Sequence, residues 1–96
     1  MSFNQKKIAL ITGGAIRIGK ELALSLAKDG WSIAIHYNSS VTEAKLLAET
    51  IDNQTIDDQF SFTIQADFNN PDEVSQIIPY INENFGNVDL LINNAC

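Results

Sequence analysis

Ninety-six residues bound this chain to one small domain or part of a larger one, and a chain of that size buries only about two-thirds of its unfolded surface. Hydrophobic residues make up 45% of it, too many for a disordered polymer, and 12 acidic against 6 basic residues give a net charge of −6. That charge argues against non-specific binding to nucleic acid or to an anionic membrane, so any phosphate site must rely on local cations.

The start, Met1-Ser2-Phe3-Asn4-Gln5-Lys6-Lys7, is followed by only a few apolar residues before Thr12. The run is too short for a signal-peptide core or a membrane span. The single cysteine, Cys96, allows no intrachain disulfide, and no metal-ligand spacing is present, which together suit a reducing cytoplasm.

Ile8-Ala9-Leu10-Ile11 is a continuous apolar run, as a strand buried on both faces requires. Gly13 and Gly14 then let the backbone turn tightly and approach a ligand closely. Ile18, Leu22 and Leu26 recur every four residues with Ala23 and Ala27 beside them, predicting a helix that ends near Asp29-Gly30. A turn of this kind sets free N–H groups and the positive end of a helix dipole against an anion.

Ser32–Tyr37 reads as the second strand. Ser40-Val41-Thr42-Glu43 has the spacing of a capping box, and Val41, Ala44, Leu47, Ala48 and Ile51 share one helical face. Residues 52–59 are polar and read as a loop. Phe60, Phe62 and Ile64 alternate with polar residues, predicting a strand with one buried face at a sheet edge. Asn70-Pro71-Asp72-Glu73 opens a third helix, with Asn70 as its cap and Val74, Ile77, Ile78, Ile81 and Phe85 facing inward. Pro79 is expected to bend or split that helix, and Gly86 to end it. Val88–Ile92 is a fourth strand of interior type.

Strand and helix alternate throughout, the pattern of an α/β doubly wound parallel sheet. Right-handed crossovers then give the Rossmann-type strand order 3-2-1-4, with the first two helices on one face and the third on the other. An interior-type fourth strand four residues from the last residue would leave an exposed edge, so either another chain covers it or, the favoured expectation, residues 1–96 are the N-terminal portion of a single, longer domain.

Thr12-Gly13-x-x-x-Arg17-x-Gly19 resembles the cofactor loop of the short-chain dehydrogenase/reductase family, usually T-G-x-x-x-G-x-G. Arg17 stands in the middle glycine's place, as in pteridine-reductase-like members, where this arginine faces the 2′-phosphate of NADPH. Gly13, Ile18 and Gly19 complete the loop. The second strand ends in His36-Tyr37-Asn38-Ser39-Ser40, with no acid until Glu43. An acid there would bind a ribose 2′-hydroxyl and repel a 2′-phosphate, whereas hydroxyls, amides and imidazole can donate to one. This stretch is similar to that of pteridine reductases, so the resemblance implies NADPH/NADP+ over NADH. Ser40 also suits a helix cap, and His36 an ordinary strand-end position.

In the family an aspartate at the place of Asp67 hydrogen-bonds the adenine amino group, and the next residue, here Phe68, reads the base through its backbone. Turn chemistry before a capped helix is the alternative account of Asp67. Asn93-Asn94-Ala95 resembles the family's N-N-A-G, with Cys96 in the glycine's place, and implies Asn93 and Ala95 near the adenosine ribose. The family's catalytic serine, tyrosine and lysine, the last two spaced Y-x-x-x-K, have no counterpart: Tyr37 is followed four residues on by Val41, and Tyr80 by Asn84.

The resemblance thus implies the NADPH-binding part of an oxidoreductase that reduces a carbonyl or pterin-like substrate by hydride transfer. Its catalytic residues would lie beyond residue 96, with homo-oligomers usual in the family. A non-catalytic NADP(H)-binding module and an inactive fragment are the alternatives.

Overall fold

The computed structural model describes residues 7–13, 17–54 and 59–94. Four strands and three helices alternate along the chain: β1 (Ile8–Thr12), α1 (Arg17–Lys28), β2 (Ser32–Tyr37), α2 (Val41–Gln54), β3 (Ser61–Gln65), α3 (Pro71–Asn84) and β4 (Val88–Asn93). All pairings are parallel and the strand order is β3-β2-β1-β4, as the alternation predicts.

Side chains alternate across the sheet and define two cores. On one face Ala9, Ile11, Ile33 and Ile35 meet Ala23 and Ala27 of α1 and Ala44, Leu47 and Ile51 of α2. On the other, Ile8, Leu10 and Ala34 meet Ala66 and, from α3, Ile77 and Ile81. The two right-handed β-α-β crossovers before β3 put α1 and α2 together, and the jump from β3 back past β1 puts α3 opposite.

The inward face of α1 differs from the expected leucine stripe. Gly19, Ala23 and Ala27 are the buried positions, Leu22 and Leu26 are half-buried, and Ile18 stands 68% exposed. Small residues let the helix backbone come close to the sheet, and the leucines fill its flanks. On α2, Val41 is exposed and Ala48 half-buried beside the buried Ala44, Leu47 and Ile51, and the helix runs to Gln54, through residues expected to be loop.

Pro79 does not split α3, which is continuous from Pro71 to Asn84. The carbonyl that loses its donor is that of Ser75, one turn earlier, and both residues are exposed, so water can replace the missing partner. Of the residues expected to face inward on this helix, Ile77 and Ile81 do so, while Ile78 and Phe85 are exposed. Gly86 follows at φ 139°, where a side chain is strained and an added Cβ would lie 3.3 Å from Ile8 Cδ1.

The two sheet edges differ. β3 alternates apolar Phe62 and Ile64 with Ser61, Thr63 and Gln65, the make-up of an edge strand. β4 carries apolar residues on both faces yet, among the described residues, pairs with β1 alone, and Leu91 is half exposed.

Candidate cofactor site

Because the sheet is parallel, the segments that leave β1, β2, β3 and β4 all emerge at one end. The chain reverses its winding between β1 and β4, and a crevice at the carboxyl ends of such strands is where open α/β sheets bind ligands. Gly13, Asn38–Ser40, Asp67-Phe68 and Asn93-Asn94 are therefore gathered at this end.

β1 delivers its chain to the turn through Thr12, which is buried and aligned with Asn93. The Thr12 hydroxyl accepts from the Asn94 N–H (2.8 Å) and lies 3.2 Å from Asn93 Oδ1. Gly13 follows at φ 63°, a left-handed conformation that costs glycine nothing. Both its backbone groups are held by side chains: its N–H donates to His36 Nδ1 (3.0 Å), and its carbonyl accepts from Asn94 Nδ2 (3.3 Å). The Gly13 N–H is thus engaged within the chain and not free for an anion.

Residues 14–16 lie outside those described. The chain is next seen at Arg17, exposed at the first position of α1 with φ 57°, the single non-glycine residue at positive φ among the described residues. The family's usual glycine at this place matches that conformation. Gly19, in the first turn of the helix, is buried.

His36 is 2% exposed on the face of β2 that looks towards α3. Its Nε2 lies 2.9 Å from the carbonyl oxygen of Ala66, which can only accept, so Nε2 carries the proton and Nδ1 is the acceptor for Gly13. Phe68 stacks on the ring at 4.4 Å between centroids. Burial pushes the imidazole below its ordinary value of 6.5, and the Ala66 bond draws it partly back. With both nitrogens engaged internally, the imidazole has no donor to offer a ligand. Tyr37 is half-buried against the α1/α2 core, while Asn38 and Ser39 are exposed and Ser40 half-buried. The carbonyl of Ser40 accepts from the Ala44 N–H and so opens α2.

After β3, Asp67 is half-buried. Its Oδ1 accepts from the Asn69 N–H (2.9 Å), and its own N–H donates to Glu73 Oε1 (2.8 Å). The carboxylate therefore does turn chemistry through one oxygen. Phe68 is 37% exposed, its ring on His36. Ala95 and Cys96 lie outside the described residues. Sequence reasoning missed the engagement of Gly13 by His36 and Asn94 and the seat of Phe68 on His36; the one available signal was a polar residue at an inward-facing position near the end of a largely apolar strand. A cavity of about 340 Å³ lies between β3 and α3, lined by Thr63–Gln65, Glu73 and Tyr80 among others.

A parallel sheet ordered 3-2-1-4 with a glycine turn between its first strand and first helix defines a dinucleotide-binding α/β protein. The family model described as short chain dehydrogenase matches residues 7–96, and the chain belongs to that family. It is 39% identical over 89 residues to the 3-oxoacyl-[acyl-carrier-protein] reductase FabG of Staphylococcus epidermidis, covering 93% of this chain and 35% of the relative. It is 43% identical over 89 residues to the short-chain dehydrogenase/reductase homolog YusS of Bacillus subtilis, covering 79% of that protein. The crystal structure of FolM alternative dihydrofolate reductase 1 from Brucella canis, complexed with NADP, superposes with a TM-score of 0.81 at 34% identity, over 93% of this chain and 34% of that one. The chain thus spans about a third of the length of the FabG and FolM relatives.

Proposed function

We propose that this chain is the NADP(H)-binding portion of a short-chain oxidoreductase. The observation that carries the reading is the absence of a carboxylate where β2 ends. Asn38, Ser39 and Ser40 leave β2 at the same end of the sheet at which Arg17 opens α1 from the neighbouring β1, and the next acid, Glu43, is already inside α2. A guanidinium fork with hydroxyl and amide donors suits a 2′-phosphate, and a carboxylate would repel it. Gly13 and Gly19 give the backbone room to approach the pyrophosphate, Ile18 is exposed beside it, and Asp67, Phe68 and Asn93 border the adenosine. His36 and Tyr37 support that wall from β2.

When bound, NADPH supplies the hydride; the residues of this chain bind and orient it. In the intact enzyme the acceptor is a carbonyl or a pterin-like ring, the serine, tyrosine and lysine coming from beyond residue 96. Arg17 in the glycine's place and His36-Tyr37-x-x-Ser40 favour the pteridine-reductase-like subgroup, and the likeness to an alternative dihydrofolate reductase bound to NADP is in keeping with it. The cytoplasm is the proposed location.

Titration with NADPH and NADH, followed by nucleotide fluorescence, tests the site. Arg17→Ala is expected to weaken NADPH about 10- to 100-fold, as for loss of a charge-assisted hydrogen bond, and NADH by less than about twofold. Equal losses would remove Arg17 from the 2′-phosphate.

A second reading, a module that binds NADP(H) without turnover, is favoured by YusS, of which these 89 aligned residues make up 79%. The intact mass of the protein from its natural source separates the two. A species at 10.6 kDa supports the module, and one several times heavier supports the reductase.

A further inference from the structure

We infer that His36 is a positioning residue for the cofactor: as the neutral Nε2–H tautomer it bridges the Gly13 N–H to the Ala66 carbonyl and so joins the turn before α1 to the loop before α3. The inference rests on the NADP(H) reading for its consequence, but the bridge itself is a property of the chain. Gly13 opens the segment that passes the pyrophosphate, and Ala66 leads into Asp67-Phe68 at the adenine end. One buried side chain thereby fixes the spacing of two loops that share no backbone hydrogen bond with each other among the described contacts.

The geometry leaves no slack in this role. Both ring nitrogens are taken by backbone groups, one accepting at 3.0 Å and one donating at 2.9 Å, and Phe68 covers a ring face. Neither the opposite tautomer nor the imidazolium can serve, since each places an N–H on Nδ1 against the Gly13 N–H. Charged groups on the surrounding elements are Arg17 at the start of α1, Asp67 in the following loop, and Asp72 and Glu73 at the start of α3. Asp67 and Glu73 are engaged with the backbone N–H groups of Asn69 and Asp67, and neither of the bonds that His36 makes is to a carboxylate. The bridge therefore lasts while His36 is neutral and is lost as pH falls on the acid side of 6.5, because burial holds the folded imidazole below that value.

The test compares the wild-type full chain with His36→Gln and His36→Asn. Glutamine reaches towards Ala66 but loses the acceptor under Gly13, whereas asparagine places an oxygen where Nδ1 stood. Expected for His36→Gln is a loss of about 5- to 10-fold in affinity for NADPH and NADH alike, with partial recovery in His36→Asn. Wild-type affinity should fall in acid, and that fall should be absent from His36→Gln. Ile51→Val, a core change remote from the site, serves as the control for general destabilisation and should leave both affinities unchanged.

A loss confined to NADPH would overturn the bridge and return His36 to a donor on the 2′-phosphate; unchanged affinity for both cofactors would overturn it too. If the wild type binds neither nucleotide, the NADP(H) reading fails, and hydrogen exchange at the Gly13 amide decides the bridge by itself. Exchange at least about tenfold faster in His36→Gln supports it, and equal exchange sinks it.

Discussion

Arg17 sits at φ 57°, a conformation that costs a residue with a side chain about 1–2 kcal/mol relative to the right-handed region. Glycine at the same place escapes most of that cost, which accounts for the family's T-G-x-x-x-G-x-G in conformational terms. Arg17→Gly is therefore expected to stabilise the fold by about 1 kcal/mol, or roughly 4–8 °C in Tm for a domain of this size, while abolishing any preference for NADPH. Arg17→Ala keeps the strained backbone and should melt with the wild type. A melt in which glycine and alanine behave alike would show that the strain is not there. The identity of Arg17 was legible in the sequence because its place in the motif is fixed by spacing. The burial of His36 was not. Period-2 alternation says which face a strand residue points to, but what lies opposite depends on Gly13 and on Ala66 and Phe68, which come from two separate places in the chain.

The start of α3 shows how an element is held by side chains that the sequence pattern names only in part. Asn70 has the extended backbone of a helix cap, and its Oδ1 accepts from the Asp72 N–H (3.1 Å). Its Nδ2 also donates to Glu73 Oε2 (3.1 Å), while Glu73 Oε1 accepts from the Asp67 N–H. Asparagine and aspartate rank as equal caps in general. Here they are not equal, because Asn70→Asp removes the donor and sets two carboxylates against each other. Urea denaturation should show Asn70→Asp to be destabilised by about 1 kcal/mol, with recovery in the double variant Asn70→Asp/Glu73→Gln, whose glutamine amide can donate. Additive effects in that cycle would disprove the coupling. The cap itself was visible in Asn-Pro-Asp-Glu. The reach of Glu73 back to Asp67 was not, since it depends on how the loop from β3 folds over the helix end. Pro79 gave the opposite error: the rule that proline interrupts a helix is right about the lost bond, but an exposed turn tolerates the loss.

At the scale of the whole molecule the sheet has one finished edge and one unfinished one, and the composition of each strand announced it. β3 offers Ser61, Thr63 and Gln65 between its apolar residues, and a polar, short edge discourages further pairing. β4 has the make-up of an interior strand: Leu90 and Ile92 pack from one side of the sheet, and Leu91 lies on the other beside Leu10. Yet its outer backbone edge is unpaired among the described residues, and Leu91 is 50% exposed. As an isolated 96-residue polypeptide it should therefore associate as concentration rises, through edge pairing of β4 reinforced by Leu91. A net charge of −6 opposes that association, so added salt should strengthen it by screening the repulsion. Leu91→Lys places a charge on the uncovered apolar patch and should return the species seen by sedimentation to 10.6 kDa, at little cost to a half-exposed position. Thr63→Lys on β3 is the matched control and should change nothing. If the two lysines act alike, association is governed by net charge and not by the β4 edge; if the wild type stays monomeric at high protein and high salt, the edge is protected in a way that strand composition does not reveal.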